Sequence, residues 1–574
     1  MLDTSGSMGD PAPGGTKIDA LKSAVGLFVD LLPDSQGDFI GGVTFSDQAD
    51  VLLDYAAVDA AEKATVKAAV APLTPAGATS IGSGLNLGFD QIIFHAQTPR
   101  KVLLVFTDGM ENTWPMIADV ETPILQSGLE IYAVGLGSGA EIDANKLNQL
   151  AATSNGKFFA SDDTLILRKN FVQVLADAFR MNMAADPVLT IAQGQTIDVK
   201  VVVTRCESRL RFVCAWDDLD QQLDLTVIAP DGTTFRPNSP SSNRLVSYVA
   251  QPGYAFYNLA VPPLDDSDRI APLVIGTWTM RVGATKLQVA QERFTTSLVV
   301  DTEIEMVTHV NPAATAAASQ IAVTILHAGV PVPGATVKVV FGAPTISAQK
   351  LICKSRGALI FPPSELDHLG PRVPPGRVQA SRVRTSRRSR RGASSSPPRS
   401  ARTGVHIPMK NTRLTARLTE EFNYAANLPR FVRDGIYQFT VQATVPACGG
   451  TVTRYANFAF APLQLLSGRT SVISVAAAAG VGKAVSVRIT PRDDAGNPVG
   501  LGLAAKFKLD LPRNVTLIRV TDRFDGSYDV LLGRRRATPA KIKLRLGDRQ
   551  IAIAIPARPR KNHPPRHGER SRSR

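Results

Sequence analysis

Over residues 1–183 the apolar positions switch between two spacings. In Lys17–Leu32 they fall at Ile18, Leu21, Val25, Phe28, Val29 and Leu32, which predicts an amphipathic helix. FIGGVTF (Phe39–Phe45) and VLLDY (Val51–Tyr55) predict strands, and Val58–Val70 and Ser80–Ala96 predict helices. KVLLVFT (Lys101–Thr107) and LEIYAVGLG (Leu129–Gly137) are continuous apolar runs, as expected of strands covered on both faces. A closing amphipathic helix is expected over Leu165–Met183. Strands and helices alternating at this spacing imply an α/β fold with a doubly wound parallel sheet. From about Pro187 the pattern shortens to β-rich segments such as TIDVKVVVT, LDLTVIAPDGTTF and GTWTMRV, separated by DG and PG turn signals. These predict three β-sandwich domains over 187–300, 301–460 and 461–556.

Two tracts break this pattern. Residues 354–404 are rich in Arg, Pro and Ser and interrupt the second sandwich where its middle strands are expected, and 557–574 have the same composition. Neither contains enough apolar surface to offset the entropy of ordering. Two readings of the first tract stand side by side: a disordered insertion, or out-of-frame translation of GC-rich coding sequence. The tail reads as disordered and basic. The tracts also change the meaning of the formal charge of +14. Ten Arg and no acidic residue lie between Pro371 and Gly404, and the tail adds a further net +6, so the remainder is nearly neutral. The basicity is no evidence of a nucleic-acid-binding face, and no specific nucleic acid is expected as a partner.

The four cysteines, Cys206, Cys214, Cys353 and Cys448, show no zinc-like spacing. Cys206 and Cys214, eight apart in a strand-rich region, form either a bridge between adjacent strands or a pair of buried thiols. No stretch reaches the 18 or so apolar residues of a membrane span.

The opening DTSGSM places oxygen-bearing side chains at Asp3, Ser5 and Ser7, on one side if the stretch is extended. Hard cations such as Mg²⁺ take about six oxygen ligands, so one loop cannot complete a site. GATSIG supplies Thr79 in a polar turn before a helix, and FTDGMEN supplies Asp108 at the end of the Lys101–Thr107 strand. Loops that follow the strands of an open parallel sheet meet along its carboxyl edge, where Asp3, Ser5, Ser7, Thr79 and Asp108 are expected to converge.

DTSGSM, GATSIG and FTDG together resemble the metal-ion-dependent adhesion site of von Willebrand factor type A domains, whose pattern is Asp-x-Ser-x-Ser, then Thr, then Asp. All five positions match, and GVTFS, IYAVGLG and LNQLAATSNGKFF extend the resemblance over about residues 1–183. It implies a bound Mg²⁺ (or Mn²⁺ or Ca²⁺) held by these five residues. One coordination position is left for a carboxylate from a partner protein, and ligand binding is coupled to the last helix. It also implies a first strand of which only Met1 and Leu2 are present here, so a start assigned too late or a gene fragment is expected. With an upstream start the chain is expected to be secreted, periplasmic or at the cell surface. CAWDDLDQQLDLTVIAPDGTTF and GTWTMRV resemble the β-domain that follows the type A domain in calcium-activated chloride channel regulators and their bacterial relatives. The third sandwich resembles immunoglobulin-like repeats of bacterial surface proteins. HExxH is not present in the chain, so the metalloprotease activity of the animal proteins is not carried over.

Other patterns carry less. GLGSGA (Gly135–Ala140) reads as a strand-to-helix turn rather than a dinucleotide loop. Asp217, Asp218, Asp220 and Asp224 read as a charged edge rather than a calcium cage. His563 and His567 lie in the basic tail. The expectation is a non-enzymatic, metal-dependent binding protein. The alternatives are a metal-assisted hydrolase and an intracellular regulatory or chaperone-like partner. No obvious general base accompanies the motif.

Overall fold

The computed structural model describes residues 1–33, 37–95, 100–237, 246–260, 275–311, 319–354, 407–421, 423–462, 471–477, 484–499, 508–523, 525–534, 539–546 and 549–555. The chain forms two compact units, Met1–Ala348 with Arg390–Leu463, and Gln349–Ser389 with Gln464–Arg574.

The first unit opens with a sheet in the order β3–β2–β1–β4–β5–β6. These strands are β1 (Leu2–Asp3), β2 (Phe39–Phe45), β3 (Ala49–Ala57), β4 (Val102–Thr107), β5 (Glu130–Leu136) and β6 (Phe158–Ser161). β1 runs parallel to both neighbours, with Leu2 opposite Thr44 and Phe106, and the β4–β5 and β5–β6 pairs are parallel too. β3 runs antiparallel to β2, so the sheet is mixed. Five of the six residues of β4 and five of the seven of β5 are apolar and buried or half-buried, because helices cover both faces. On one face lie α1 (Lys17–Leu31) and α6 (Thr164–Ala178), packed through Leu21, Val25 and Phe171 against Phe106 and Val134. On the other lie α3 (Ile81–His95), α4 (Ile117–Gln126) and α5 (Ala144–Thr153), packed through Ile81, Leu85, Leu147 and Leu150 against Val105 and Ile131. α2 (Ala60–Val70) sits beside α1. α1 stops at Leu31, two residues before Pro33, where the restriction on residues preceding proline ends the helix.

The closing helix is shorter than its apolar pattern suggests. α6 starts on Asp163, whose carboxylate accepts from the Leu165 and Ile166 amides at 2.9 and 3.2 Å. It ends at Ala178, and Arg180 turns the backbone with φ 53°. The expected last turn is instead β7 (Asn182–Ala185), antiparallel to the strand Gln291–Thr302. Met183 is fully buried there, so the apolar residues that prolonged the helical pattern belong to the next module's core.

Residues 188–302 form two sheets around one core. One contains Val188–Ala192, Gln291–Thr302, Glu207–Trp216, Tyr254–Ala260 and Val246–Gln251, and the other Thr196–Val203, Gly276–Gly283, Asp224–Ile228 and Thr234–Phe235. Phe212, Trp216, Leu225, Trp278 and Met280 fill the space between them. This module covers the α1–α6 face. Arg168, fully buried on α6, donates from Nε to Ser23 Oγ (3.1 Å) and from Nη1 to Trp216 O (3.0 Å). Tyr254 Oη donates to Asp30 Oδ2 at 2.8 Å. The acidic cluster is shared out among separate partners. Asp217 accepts from Thr164 Oγ1 (2.6 Å), Asp218 from the Asp220 amide (3.0 Å), and Asp224 from Thr285 Oγ1 (2.8 Å).

A third strand-rich region spans Ile304–Phe460. Thr336–Pro344 pairs directly with Met409–Leu418, with Pro344 opposite Met409, so the Arg/Pro/Ser-rich tract falls between two strands that are neighbours in the sheet. Apart from Lys354 that tract lies outside the described residues, as do the tail and its two histidines. The last strand, Gly450–Phe460, meets β6 at Ala459–Phe158, which joins this region to the first sheet. In the second unit, Val472–Ala477, Ala484–Thr490, Tyr528–Arg534 and Val515–Asp522 form one sheet, and Lys508–Asp510, Ala540–Leu546 and Arg549–Ile555 another, around Val487, Ile489, Tyr528, Val530, Ile542 and Ile553.

The cysteine pairing differs from expectation. Cys206 bonds to Cys448, with Cα atoms 5.7 Å apart, and Cys214 is a buried free thiol. Cys206 immediately precedes the strand Glu207–Trp216 and Cys214 lies within it, and eight residues of extended chain span about 26 Å, far beyond disulfide reach. Among the described residues, no helix is long and apolar enough to cross a membrane.

Candidate metal centre

The site lies at the carboxyl edge of β1 and β4. β1 delivers Asp3, and the chain leaves through a 3₁₀ turn at Gly6–Gly9 whose Met8 is fully buried. Three backbone bonds hold the loop: Thr4 N to Phe45 O (2.9 Å), Ala76 N to Thr4 O (2.7 Å) and Gly6 N to Gly77 O (3.0 Å). Because of the 3₁₀ turn, the extended-chain argument for Asp3, Ser5 and Ser7 does not hold over the whole motif. Ser5 Oγ and Ser7 Oγ nevertheless lie 3.2 Å apart, because the turn folds Ser7 back toward Ser5. Asp3 Oδ1 accepts from the Ser5 amide at 2.8 Å, and Asp3 Oδ2 accepts from Thr107 Oγ1 at 2.6 Å.

Asp108 follows the last residue of β4. Its Oδ1 accepts from Ser7 Oγ at 2.7 Å, a bond across 101 residues of sequence that joins the first and third motif loops. Thr79 borders the same hollow: a β-carbon placed on Gly109 would come within 3.4 Å of Thr79 Oγ1 and 3.6 Å of Ser7 Oγ. Asp3, Ser5, Thr79 and Asp108 are all nearly inaccessible to solvent.

Four further residues complete the surroundings. Lys17, the first residue of α1, sends Nζ to Asp108 Oδ2 at 2.8 Å and to Asp10 at 3.6 Å. Thr107 holds Asp3, as above. Asn112 Oδ1 accepts from the Thr79 amide at 2.7 Å. Glu111 Oε1 accepts from the Gly82 and Ile117 amides at 3.0 and 2.7 Å, and its Oε2 from Lys146 Nζ at 3.1 Å. Glu111 thereby ties the Asp108 loop to the starts of α3 and α4. Glu111 and Asn112 both lie in FTDGMEN, and polar residues three and four positions beyond Asp108 in an apolar setting were the available signal. Lys17 gives no such signal, since its role depends on how the loop after Met8 folds back.

Glu111→Ala is therefore expected to destabilise the first unit by about 2–6 kcal/mol, since two buried N–H groups lose their acceptor at about 1–3 kcal/mol each, while the partly exposed Lys146 ammonium can turn to solvent. Urea unfolding with metal chelated measures this directly.

The electrostatics are those of two carboxylates taken out of water. Burial, and then the nearby Asp108 carboxylate, push the Asp3 carboxyl up to about 7. Burial also raises Asp108, although Lys17 and the Ser7 hydroxyl pull the other way. For Lys17, burial works against the charge, but Asp108 and Asp10 outweigh it and the ammonium is held above its ordinary range. One ammonium in contact with Asp108 balances only part of this buried negative charge. Two carboxylates and three hydroxyls are hard oxygen donors, the set that suits Mg²⁺ or a similar cation, so the residues fit the ion that the resemblance implies.

Sheet order, the covering helices and these loops define a type A domain at the amino-terminal end, followed by strand-rich regions. Residues 1–172 match the family described as von Willebrand factor type A domain. The chain thus carries a type A domain at its amino-terminal end, and it is similar in sequence to the calcium-activated chloride channel regulators of animals. It is 24% identical over 270 residues to human calcium-activated chloride channel regulator 4, covering 44% of this chain and 27% of that protein. It is 31% identical over 163 residues to calcium-activated chloride channel regulator 1 of Macaca mulatta, covering 28% of this chain and 17% of that protein. The chain thus spans about a quarter or less of these relatives' length. Among solved structures, a von Willebrand factor type A protein from Catenulispora acidiphila aligns with 57% of this chain and 62% of its own, at 18% identity and a TM-score of 0.27.

Proposed function

We propose that this protein binds a partner protein in a metal-dependent, non-enzymatic way. Asp3, Ser5, Ser7, Thr79 and Asp108 hold Mg²⁺, or Mn²⁺ or Ca²⁺ in its place, and the strand-rich regions that follow act as β-sandwich spacers. When bound, the ion supplies a Lewis-acid position for a carboxylate from outside. Type A domains are known for metal-dependent adhesion and protein binding. The observation that carries the reading is the Ser7–Asp108 hydrogen bond, which brings oxygen donors from two remote loops together over two buried carboxylates. The donor set favours binding over hydrolysis: its three hydroxyls are neutral, so the ion's charge stays available to an acidic guest.

Trp114 gives a direct readout. It stands on the loop that follows Asp108 and is 75% exposed, whereas Trp216 and Trp278, the other two tryptophans, are buried. Titration with Mg²⁺ is expected to change Trp114 emission in wild type and in Trp216→Phe, and to leave Asp108→Ala silent. An immobilised glutamate-rich peptide should then retain wild type in Mg²⁺ and release it on chelation. Retention that is indifferent to chelation and to Asp108→Ala would remove the proposal. Hydrolysis that persists in Ser7→Ala would point to the hydrolase alternative.

A further inference from the structure

The covalent link between Cys206 and Cys448 has two further donors beside it. Cys206 immediately precedes the strand Glu207–Trp216, and Cys448 lies in the turn between Tyr437–Ala447 and Gly450–Phe460. His327 ends the strand Gln320–His327, and its Nε2 lies 3.5 Å from Cys206 Sγ. The two sulfurs and an imidazole nitrogen of His327 all fall within 4.8 Å of one another. Glu303 presents Oε2 to the same Nε2 at 3.2 Å. The His327–Glu303 pair is set by the backbone and does not depend on the disulfide, since Ile304 is opposite His327 and the Ala328 amide donates to Glu303 O at 2.9 Å. Both side chains are open to solvent, His327 at 38% and Glu303 at 66%.

We propose that this cluster is a zinc site under thiol–disulfide control: with the disulfide reduced, Cys206, Cys448 and His327 bind one Zn²⁺, and the fourth corner faces the Glu303 carboxylate. Tetrahedral zinc with Zn–S of about 2.3 Å and Zn–N and Zn–O of about 2.0–2.1 Å has an S···N edge of about 3.5 Å and an N···O edge of about 3.4 Å. The two measured separations, 3.5 and 3.2 Å, are close to these edges. The S···S edge, about 3.8 Å in such a site, is the one the disulfide closes. Opening it takes a dithiol reductant, which delivers two electrons and two protons to the sulfur pair and leaves as its own cyclic disulfide. Zn²⁺ then displaces one proton from each thiol to solvent, and His327 coordinates through the Nε2 lone pair with its remaining proton on Nδ1. The oxidised protein has no thiolate to offer here and does not bind zinc at this site.

The test uses the full chain, reduced anaerobically with dithiothreitol, desalted and titrated with Co²⁺ alone. One equivalent should produce a near-ultraviolet thiolate-to-cobalt charge-transfer band, which Zn²⁺ then bleaches; the oxygen-only type A site cannot produce it. His327→Ala should weaken cobalt and zinc binding by roughly 100-fold or more, and Glu303→Gln by roughly 10-fold, on the scale of lost ligand and outer-shell contacts. Cys448→Ser should remove the band. Independently, Zn²⁺ should slow iodoacetamide alkylation of Cys206 and Cys448, read by peptide mass spectrometry. If reduction unfolds the chain, refolding on addition of Zn²⁺ supports the site and failure to refold overturns it. The proposal is also overturned by the lack of a band in reduced wild type, by a band that survives His327→Ala or Cys448→Ser, or by alkylation that is indifferent to zinc.

Discussion

Asp3→Asn is expected to abolish the magnesium-dependent stabilisation that the proposed site implies for the first unit, and at the same time to make the metal-free protein more stable than wild type above about pH 7. The two effects share one cause. Asp3 is wholly buried, and burial together with the Asp108 charge raises its carboxyl from 3.8 to about 7. The folded chain therefore keeps a proton that the unfolded chain has already lost. The sign follows from linkage: the Asp3 contribution to metal-free stability falls as pH climbs from about 4 to about 7 and is level above that, with a loss of up to roughly 4 kcal/mol, while the buried Met1 amine, lowered to about 5, contributes a rise between about pH 5 and 8 that is common to wild type and variant. Asparagine carries no such proton, so the difference between wild type and variant should have the Asp3 slope, whatever the other titrating groups add to both. Its amide keeps the Asp3 shape and can still accept from the Ser5 amide. In saturating Mg²⁺ the wild-type trend should reverse, because the ion requires the carboxylate, and the variant should follow its own metal-free curve. Thermal unfolding at pH 5 and pH 8, with chelator and with Mg²⁺, reads all four corners. A wild-type melting temperature that is independent of both pH and magnesium would contradict the argument.

The second large effect lies beside the disulfide. Arg454 donates to Glu207 Oε1, and both side chains are 1% exposed. Glu207 Oε2 also accepts from the Thr204 amide and hydroxyl at 2.6 and 2.7 Å. Burial pulls the guanidinium below its ordinary range, and Glu207 is what opposes that pull. Glu207→Ala strands a buried cation and two Thr204 donors, and removing one partner of such a pair costs about 3–5 kcal/mol. The variant should lose that much in guanidinium-induced unfolding with Cys206–Cys448 intact. Replacing both partners, Glu207→Leu with Arg454→Met, should recover much of the loss, because no charge is then left unpaired. Equal losses in the single and double variants would show that shape rather than charge governs the site.

The legibility of this chain follows the range of the forces involved. Helix and strand periods in the first 183 residues are local, so the elements from Lys17 to Leu136 were readable to within two or three residues, apart from the helix Ile117–Gln126, which the sequence reading did not find. The places of Asp3, Thr79 and Asp108 were readable because Asp3 ends a strand, Asp108 follows one and Thr79 precedes a helix, and the edge of a parallel sheet collects such loops. The last turn of α6 misled because Met181 and Met183 keep an apolar spacing while serving another core. Lys17 was silent because an ammonium at the start of a helix looks solvated until the preceding loop doubles back to Asp108. The Cys206–Cys448 bond joins positions separated by 242 residues, and only the packing of distant strands brings them together. The cluster with His327 and Glu303 was hidden for the same reason.

That bond also changes what counts as one molecule. Residues 355–406 lie between Cys206 and Cys448 in sequence. A backbone cut anywhere in that interval leaves two polypeptides still tethered through sulfur. Each keeps strands that pair with the other, as Thr336–Pro344 does with Met409–Leu418. The long Arg-rich tract is thus bracketed by a clasp, and the chain's covalent integrity there rests on the redox state of two sulfurs rather than on fifty peptide bonds or so.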